Sequence, residues 1–251
     1  MKNLHPYNQT LFVVWGNQLL FWAMTIAFFE WYMIPVAIIA MYCFGCMSEI
    51  GMHRYLSHKA YTTTPVKEKI LLTFAFLAGQ GAALSWVAVH RNHHAYEDTD
   101  KDPHSPQFIA SWRLILGLFP HQEYKIAIIA DMIRSKNKSY FVFENKYYWL
   151  MWATLWIIAY FISFYLLYFI VSGAALWYLC TQLVNIVAHG NTSVNGTKTD
   201  VNAVAVNSVF LNVVTGAGHH NNHHSNPKNH SYRVSNERDP YAWIIERFFK
   251  T

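Results

Sequence analysis

Charge is what this chain of 251 residues has least of. Asp, Glu, Lys and Arg make up 13% of it, against about 25% in an ordinary soluble domain. The shortage is concentrated, for none of the four occurs from residue 147 to residue 197. Three cysteines are too few for a disulfide framework. Cys43 and Cys46 form C-F-G-C inside an apolar run with no basic residue beside them to lower a thiol pKa, so they read as small residues filling a helix interface. Solenoid repeats and long low-complexity linkers are absent. A cleaved leader is excluded because the first apolar run is too long and leads directly into another, so residue 1 is expected in the mature chain. The signature H-E-x-x-H is missing, which counts against a metalloprotease. No Glu-x-x-His pair lies in the apolar runs, which counts against a carboxylate di-iron bundle. The net charge of +5 is modest, and nothing points to a nucleic-acid partner.

What the chain has is apolar length: 53% of it is hydrophobic and 17% aromatic. A helix needs about 20 apolar residues to cross a bilayer. The run at residues 11–47, interrupted by Glu30 and Pro35, divides into two such spans. The run at residues 147–188 gives two more, with a turn expected near Ser172-Gly173. The expected fold is all-α: one integral membrane domain over residues 1–251, with four transmembrane helices in two hairpins at about 11–51 and 147–189. Segments 52–146 and 190–251 then form a helical cap.

The basic residues place that cap. Twelve of them lie between the hairpins and six follow the second, whereas the hairpin tips carry none. The positive-inside rule puts the cap in the cytoplasm. Two N-x-S/T sequons, at Asn191 and Asn195, would be unused there. Residues 70–89 are apolar enough for a fifth span, but Gly79-Gln80-Gly81 breaks them into two halves too short to cross, and two short helices are expected. Residues 108–134 and 241–249 carry amphipathic faces, including Phe108, Trp112, Ile115, Leu116, Phe119, Trp243 and Phe248. Such a face does not say whether lipid or protein covers it.

Against this apolar background, eight of the fourteen histidines fall into three clusters: His53 and His58; His90, His93 and His94; His220, His223 and His224. Neutral imidazole is the commonest protein ligand for a transition metal. The second and third clusters share H-x-x-H-H, which puts ligands at i, i+3 and i+4 on one helical face. The first has i, i+5 spacing, about 140° apart on a regular helix, so there the backbone must bend or the helix must end. A lone zinc site needs about four ligands and the clusters offer twice that, which argues for two metals close together. All-nitrogen ligation suits iron, copper, nickel or zinc alike. A metal transporter would instead place its ligands near the bilayer midplane in broken spans.

The motifs His53-Arg54-Tyr55-Leu56-Ser57-His58, His90-Arg91-Asn92-His93-His94 and His220-Asn221-Asn222-His223-His224 resemble the three histidine boxes of the membrane fatty acyl desaturases. Trp86-Val87-Ala88-Val89 and Asp98-Thr99-Asp100-Lys101-Asp102-Pro103-His104 are similar to that family's surroundings of the second box. Asn185-Ile186-Val187-Ala188-His189 resembles its N-x-x-A-H element. These motifs run over residues 51–227. The resemblance implies two iron ions and nine histidine ligands. One iron would be held by His53, His58, His90, His94 and His223, the other by His93, His189, His220 and His224, with Asn185 acting through water. It implies O2 as oxidant, an acyl-CoA or acyl-lipid substrate entering a tunnel between helices, surrounding membrane lipid, and electrons from a separate carrier of the cytochrome b5 or ferredoxin type. A di-iron hydroxylase or ketolase is the rival within the same chemistry. Asp98, Asp100 and Asp102 are expected to support ligating imidazoles. Arg54, Lys59 and Arg91 are open to two readings, contact with a phosphate-bearing headgroup or snorkelling at the membrane surface. Before the third box, Ala217 and His219 stand where the family often has an acidic residue and an aromatic. His219 points about 100° away from His220 on a helix, which argues against it as a ligand.

Overall fold

The apolar runs fold as helices, and no strand occurs among the described residues, which in this computed structural model are 6–120, 125–190, 209–233 and 238–251. Asn191 and Asn195 lie outside them. Helix α1 (Pro6–Phe28) is followed after a short turn by α2 (Met33–Met47). Pro35 is accommodated in the first turn of α2, where backbone N–H groups have no intrahelical partner. Without a break α2 becomes a π-helix over Ser48–Ser57. Three helical runs, Pro6–Phe28, Met33–Ser57 and Phe164–Ala188, are long and apolar enough to cross a membrane.

The other two long helices are α7 (Lys138–Ile162) and α8 (Phe164–Ala188). A kink at Tyr147 (φ −121°, ψ 17°) interrupts α7. The turn between α7 and α8 is one extended residue, Ser163, whose hydroxyl accepts the Tyr165 N–H at 3.1 Å. It is not at Ser172-Gly173, which lie inside α8. A Cβ at position 173 would stand 2.6 Å from Cδ2 of Phe44 and 2.9 Å from the carbonyl carbon of Ala40. The small residue there serves close approach of α2 and α8 rather than a turn. Helix α8 packs most extensively against α2 and α1. Their shared core includes Val13, Phe21, Met33, Trp152, Tyr168 and Val171.

Residues 70–89 divide as expected. Thr64 caps α3 (Pro65–Phe76), and Pro65 sits at its first position. Gly79 (φ 69°) and Gly81 (φ 122°) make the break before α4 (Ala83–Tyr96), in a backbone region that side chains disfavour. A second core of Met52, Leu56, Leu72, Leu84, Val87, Met132 and Phe141 joins α3 and α4 to the π-helix and α7.

The remaining elements are short. Helix α5 (Ser111–Ile115) precedes a 3₁₀ turn (Ile126–Ile129) and α6 (Ala130–Arg134); α9 (Val209–Thr215), α10 (His220–Ser225) and α11 (Pro240–Ile244) follow α8. Protein covers the amphipathic faces only in part. Phe108, Trp112, Ile115, Leu116, Trp243 and Phe248 are exposed, whereas Leu114, Ile245 and Phe249 are buried, and Ile129 and Ile133 pack on the second core.

Candidate metal centre

The first histidine pair shows how local backbone form serves the site. In the π-helix the His58 N–H bonds the His53 carbonyl at 3.2 Å. That i→i+5 pattern winds wider than an α-helix and brings residues five apart onto one side. Helix α4 carries His90 and His94 one turn apart on one side and His93 on another. Helix α10 likewise presents His223 one way and His220 and His224 the other. His189 is the residue at which α8 ends, its N–H bonded to the Asn185 carbonyl at 3.2 Å.

Two groups of imidazoles result, each with ligand atoms within 4.8 Å of one another: His53, His58, His90, His94 and His223, and His93, His189, His220 and His224. The membership is the one the resemblance implied. The groups touch where the rings of His94 and His224 stack at 4.2 Å. Within the first, Nε2 of His53 lies 3.0 Å from Nε2 of His223, and that atom lies 3.0 Å from Nε2 of His94. His90 adds Nε2 contacts of 3.1 Å to His94 and 2.8 Å to His58. In the second, Nε2 of His220 lies 2.8 Å from His189 and 3.0 Å from His224, while the buried Nε2 of His93 has no hydrogen-bond partner.

The opposite ring nitrogens explain what such crowding means. Nδ1 of His53 is 2.8 Å from Glu49, Nδ1 of His93 is 2.8 Å from Asp102, Nδ1 of His189 is 3.1 Å from Asp98, and Nδ1 of His224 is 3.0 Å from Glu97. Where a carboxylate accepts the Nδ1–H, as at His53, His93 and His189, the neutral ring keeps its single proton on Nδ1 and Nε2 is left with a bare lone pair. Lone pairs aimed at one another across about 3 Å repel unless a cation sits among them. Two nitrogens bonded at right angles to a metal at about 2.1 Å would themselves stand about 3 Å apart. Burial also favours neutral imidazole. It holds His90, His93, His220, His223 and His224 well below the usual histidine range, with neighbouring histidines adding to the effect, and pulls His94 down to about 3. Neutral imidazole is the ligating form, so either group could hold a metal ion.

The groups stand at the wall of a cavity of about 510 Å³ to which His53, His90 and His220 contribute. The volume is that of a small-molecule site. Its other walls mix apolar residues such as Val14, Leu84, Trp177 and Val184 with Ser48, Gln80, Thr181 and Asn185. Nε2 of Gln80 donates to Thr181 at 2.5 Å, and the Ser48 hydroxyl donates to Oε1 of Gln80 at 3.2 Å.

The family model for fatty acid desaturases matches residues 29–245, which include all nine converging histidines. The chain belongs to the fatty acid desaturase family. It is 31% identical over 217 residues to the sn-2 palmitoyl-lipid 9-desaturase of Nostoc sp. (strain 36), covering 80% of this chain and 72% of that protein. It is 29% identical over 204 residues to the sn-1 stearoyl-lipid 9-desaturase of Anabaena variabilis, covering 78% of this chain and 73% of that protein. Delta-9 acyl-lipid desaturase 1 of Arabidopsis thaliana is 27% identical over 228 residues, covering 88% of this chain and 73% of that protein. The chain is therefore an oxidoreductase of lipid metabolism and, with its three long apolar helices, a membrane protein.

In this desaturase several expected roles change hands. Asp98 and Asp102 support imidazoles, but Asp100 is exposed. Glu49 has the same role, and Glu97 places its carboxylate 3.0 Å from Nδ1 of His224; neither is marked by the histidine motifs themselves. Glu49 precedes His53 by four residues, a spacing that puts both on one helical side; Glu97 follows His94 by three. His219 is in neither group, and Asn185 lines the cavity with its amide 3.4 Å from Oε1 of Gln182.

The headgroup and snorkelling readings both fail for Arg54, which is fully buried. Its Nη1 bonds Asp239 at 2.8 Å and the His230 carbonyl at 2.6 Å. Its Nε bonds Glu49 at 3.2 Å, its Nη2 bonds the Gly216 carbonyl at 3.2 Å, and its guanidinium lies 3.8 Å from the centre of the Tyr232 ring. Arg54 thus clamps the first box to both flanks of the third, because the apolar surroundings leave a buried guanidinium no alternative to such partners. Arg91 is likewise committed. It bonds Asp131 through two nitrogens, at 2.7 and 3.0 Å, and also the carbonyls of Leu56, Ser57 and Ile128. Lys59 also pairs with Asp131, at 2.9 Å.

Proposed function

We propose that this chain is an O2-dependent desaturase that holds two irons in its histidine groups and introduces a double bond into the acyl chain of an acyl-lipid or acyl-CoA. The observation that carries the reading is the convergence of nine imidazoles in two touching groups, with His53, His90 and His220 among them lining a cavity. His53, His58, His90, His94 and His223 would hold one iron, and His93, His189, His220 and His224 the other, with Asn185 acting through water. Bound there, the irons supply O2 activation for the overall change –CH2–CH2– + O2 + 2e⁻ + 2H⁺ → –CH=CH– + 2H2O. The electrons come from a separate carrier of the cytochrome b5 or ferredoxin type. Similarity to lipid 9-desaturases favours a lipid-bound acyl chain.

The chain's own residues bind and orient. Val14, Leu84, Trp177 and Val184 offer apolar surface, and burial of each methylene contributes about 0.8 kcal/mol. Glu49, Asp98 and Asp102 fix ring orientation by holding protons on Nδ1 of His53, His189 and His93. The walls exclude water from the reacting segment.

The topology that goes with this has four spans: α1, Met33–Ser57, α7 from residue 147, and α8. Helix α7 is not among the three helices long and apolar enough by themselves; its long uncharged stretch is residues 147–162. Its support as a span is the absence of charge after residue 146 and the exposed Ile157, Ile158, Phe161 and Ile162. The basic residues outside the spans favour the cytoplasm for the histidine groups.

The test is the fatty acid profile of a host expressing the chain together with an electron carrier, set beside the same host expressing His94→Ala. New unsaturated chains that vanish in the variant are expected. An unchanged profile from protein carrying two irons per chain would overturn desaturation, and zinc or no metal in the purified chain would overturn the di-iron site.

A further inference from the structure

The carboxylates behind the two groups are unequally distributed. Three stand behind the group of four: Asp102 hydrogen-bonded to His93, Asp98 hydrogen-bonded to His189, and Glu97, whose carboxylate lies 3.0 Å from Nδ1 of His224 without hydrogen-bond geometry. One stands behind the group of five, Glu49 on His53, and it is shared with the buried guanidinium of Arg54 at 3.2 Å. Among the described residues neither Asp98 nor Asp102 has a cationic side chain for a partner. Besides the imidazoles, Asp98 accepts from the Ser105 hydroxyl at 2.6 Å, and Asp102 accepts the N–H groups of Asp98 and His104 at 2.9 and 3.0 Å. A carboxylate on Nδ1 makes the imidazole a stronger donor and so favours the more highly charged metal. A guanidinium on that carboxylate draws the charge back.

We infer that the two metal positions are electronically inequivalent by construction: Asp98, Asp102 and Glu97 make the His93–His189–His220–His224 position the one oxidised first, while the Glu49–Arg54 pair holds the other in its reduced state longer. The inference rests on the two-iron reading. Asp98 and Asp102 are positioning residues acting through His189 and His93. The one-electron step at each position is a plain loss or gain of an electron by the iron, with the external carrier as reductant and O2 as oxidant. Half-way through oxidation the group of four would hold the ferric ion and the group of five the ferrous one.

The test is a redox titration of the full chain in detergent, loaded with ⁵⁷Fe and followed by Mössbauer and EPR spectroscopy. Iron is counted first; fewer than two per chain overturns the di-iron reading itself before any potential is measured. With two irons, the expected result is two one-electron steps separated at least tenfold in equilibrium constant, or 59 mV, with a mixed-valence EPR signal between them. Asp98→Asn should raise the lower-potential step alone and narrow the gap. Ser105→Ala keeps the Asp98 carboxylate but removes the hydroxyl that donates to it, leaving a stronger acceptor for His189, and should widen the gap. A single two-electron wave with one quadrupole doublet would overturn the inference in the unmodified chain, whether or not the variants load iron. A gap that neither variant moves would overturn the role of the carboxylates.

Discussion

Replacing Arg54 by Met removes a guanidinium buried among Glu49, Asp239 and the carbonyls of Gly216 and His230 and leaves side-chain volume nearly unchanged. Two carboxylates then remain buried without their cation. Breaking a buried pair from one side costs about 3–5 kcal/mol, a large part of the roughly 5–15 kcal/mol that stabilises a folded chain. At about 2–4 °C per kcal/mol for a chain of this size, the midpoint of thermal unfolding should fall by about 6–20 °C. The assay is thermal unfolding in detergent, with KM measured on the same preparations. Adding Asp239→Asn removes one stranded charge and should recover part of the loss, although Asp239 also caps α11 by accepting the Ala242 N–H at 2.9 Å. A fall of less than about 2 °C accompanied by a raised KM would refute the clamp and return Arg54 to the substrate headgroup.

Iron-free protein should lose stability as pH falls. Burial keeps His90, His93, His220, His223 and His224 neutral in the folded chain and lowers His94 to about 3, whereas the unfolded chain takes up protons below about pH 6.5. Their folded pKa values are depressed, so stability is full above about pH 6.5 and declines below it, for His94 down to about pH 3. Each such histidine contributes up to about 1.4 kcal/mol per pH unit. An unfolding midpoint that stays flat between pH 7.5 and 5 would contradict this. Gly173→Val should separate α2 from α8, because its Cβ would meet Phe44 and the Ala40 backbone; a cost of about 1–3 kcal/mol is expected from overpacking. Unchanged thermal unfolding of that variant would show that the two helices can yield there.

Much of this protein is legible in one dimension because its signals are local. Apolar runs long enough to span, a glycine pair that stops a helix, and i, i+3, i+4 histidine spacing all depend on neighbours within a turn or two. The turn at Ser163 also left a local mark, a lone serine between apolar runs, but the small pair Ser172-Gly173 is the commoner turn signal and drew the reading away. Small residues break helices in water and bring helices together where they pack. Sequence alone thus determined the helical class, the apolar runs and, through resemblance, the family; the nine histidines that the resemblance implied as ligands are ones that the fold brings together.

What only the tertiary structure decided depends on residues far apart in the chain. Spacing puts His90 and His94 on one side of α4, and the resemblance implied that His223 joins them while His220 and His224 join His93; the contacts that achieve it, between helices more than 120 residues apart in the chain, come only from the fold. The i, i+5 interval of His53 and His58 required a distortion without naming it, and the π-helix appears where the backbone must carry both rings to one side. Arg54 reads in sequence as one basic residue among many. Its role comes from Asp239, Gly216 and His230, each more than 160 residues away, which burial forces it to find. Long-range partners are chosen by the need to satisfy buried charge, and that need exists only once the chain has closed around it.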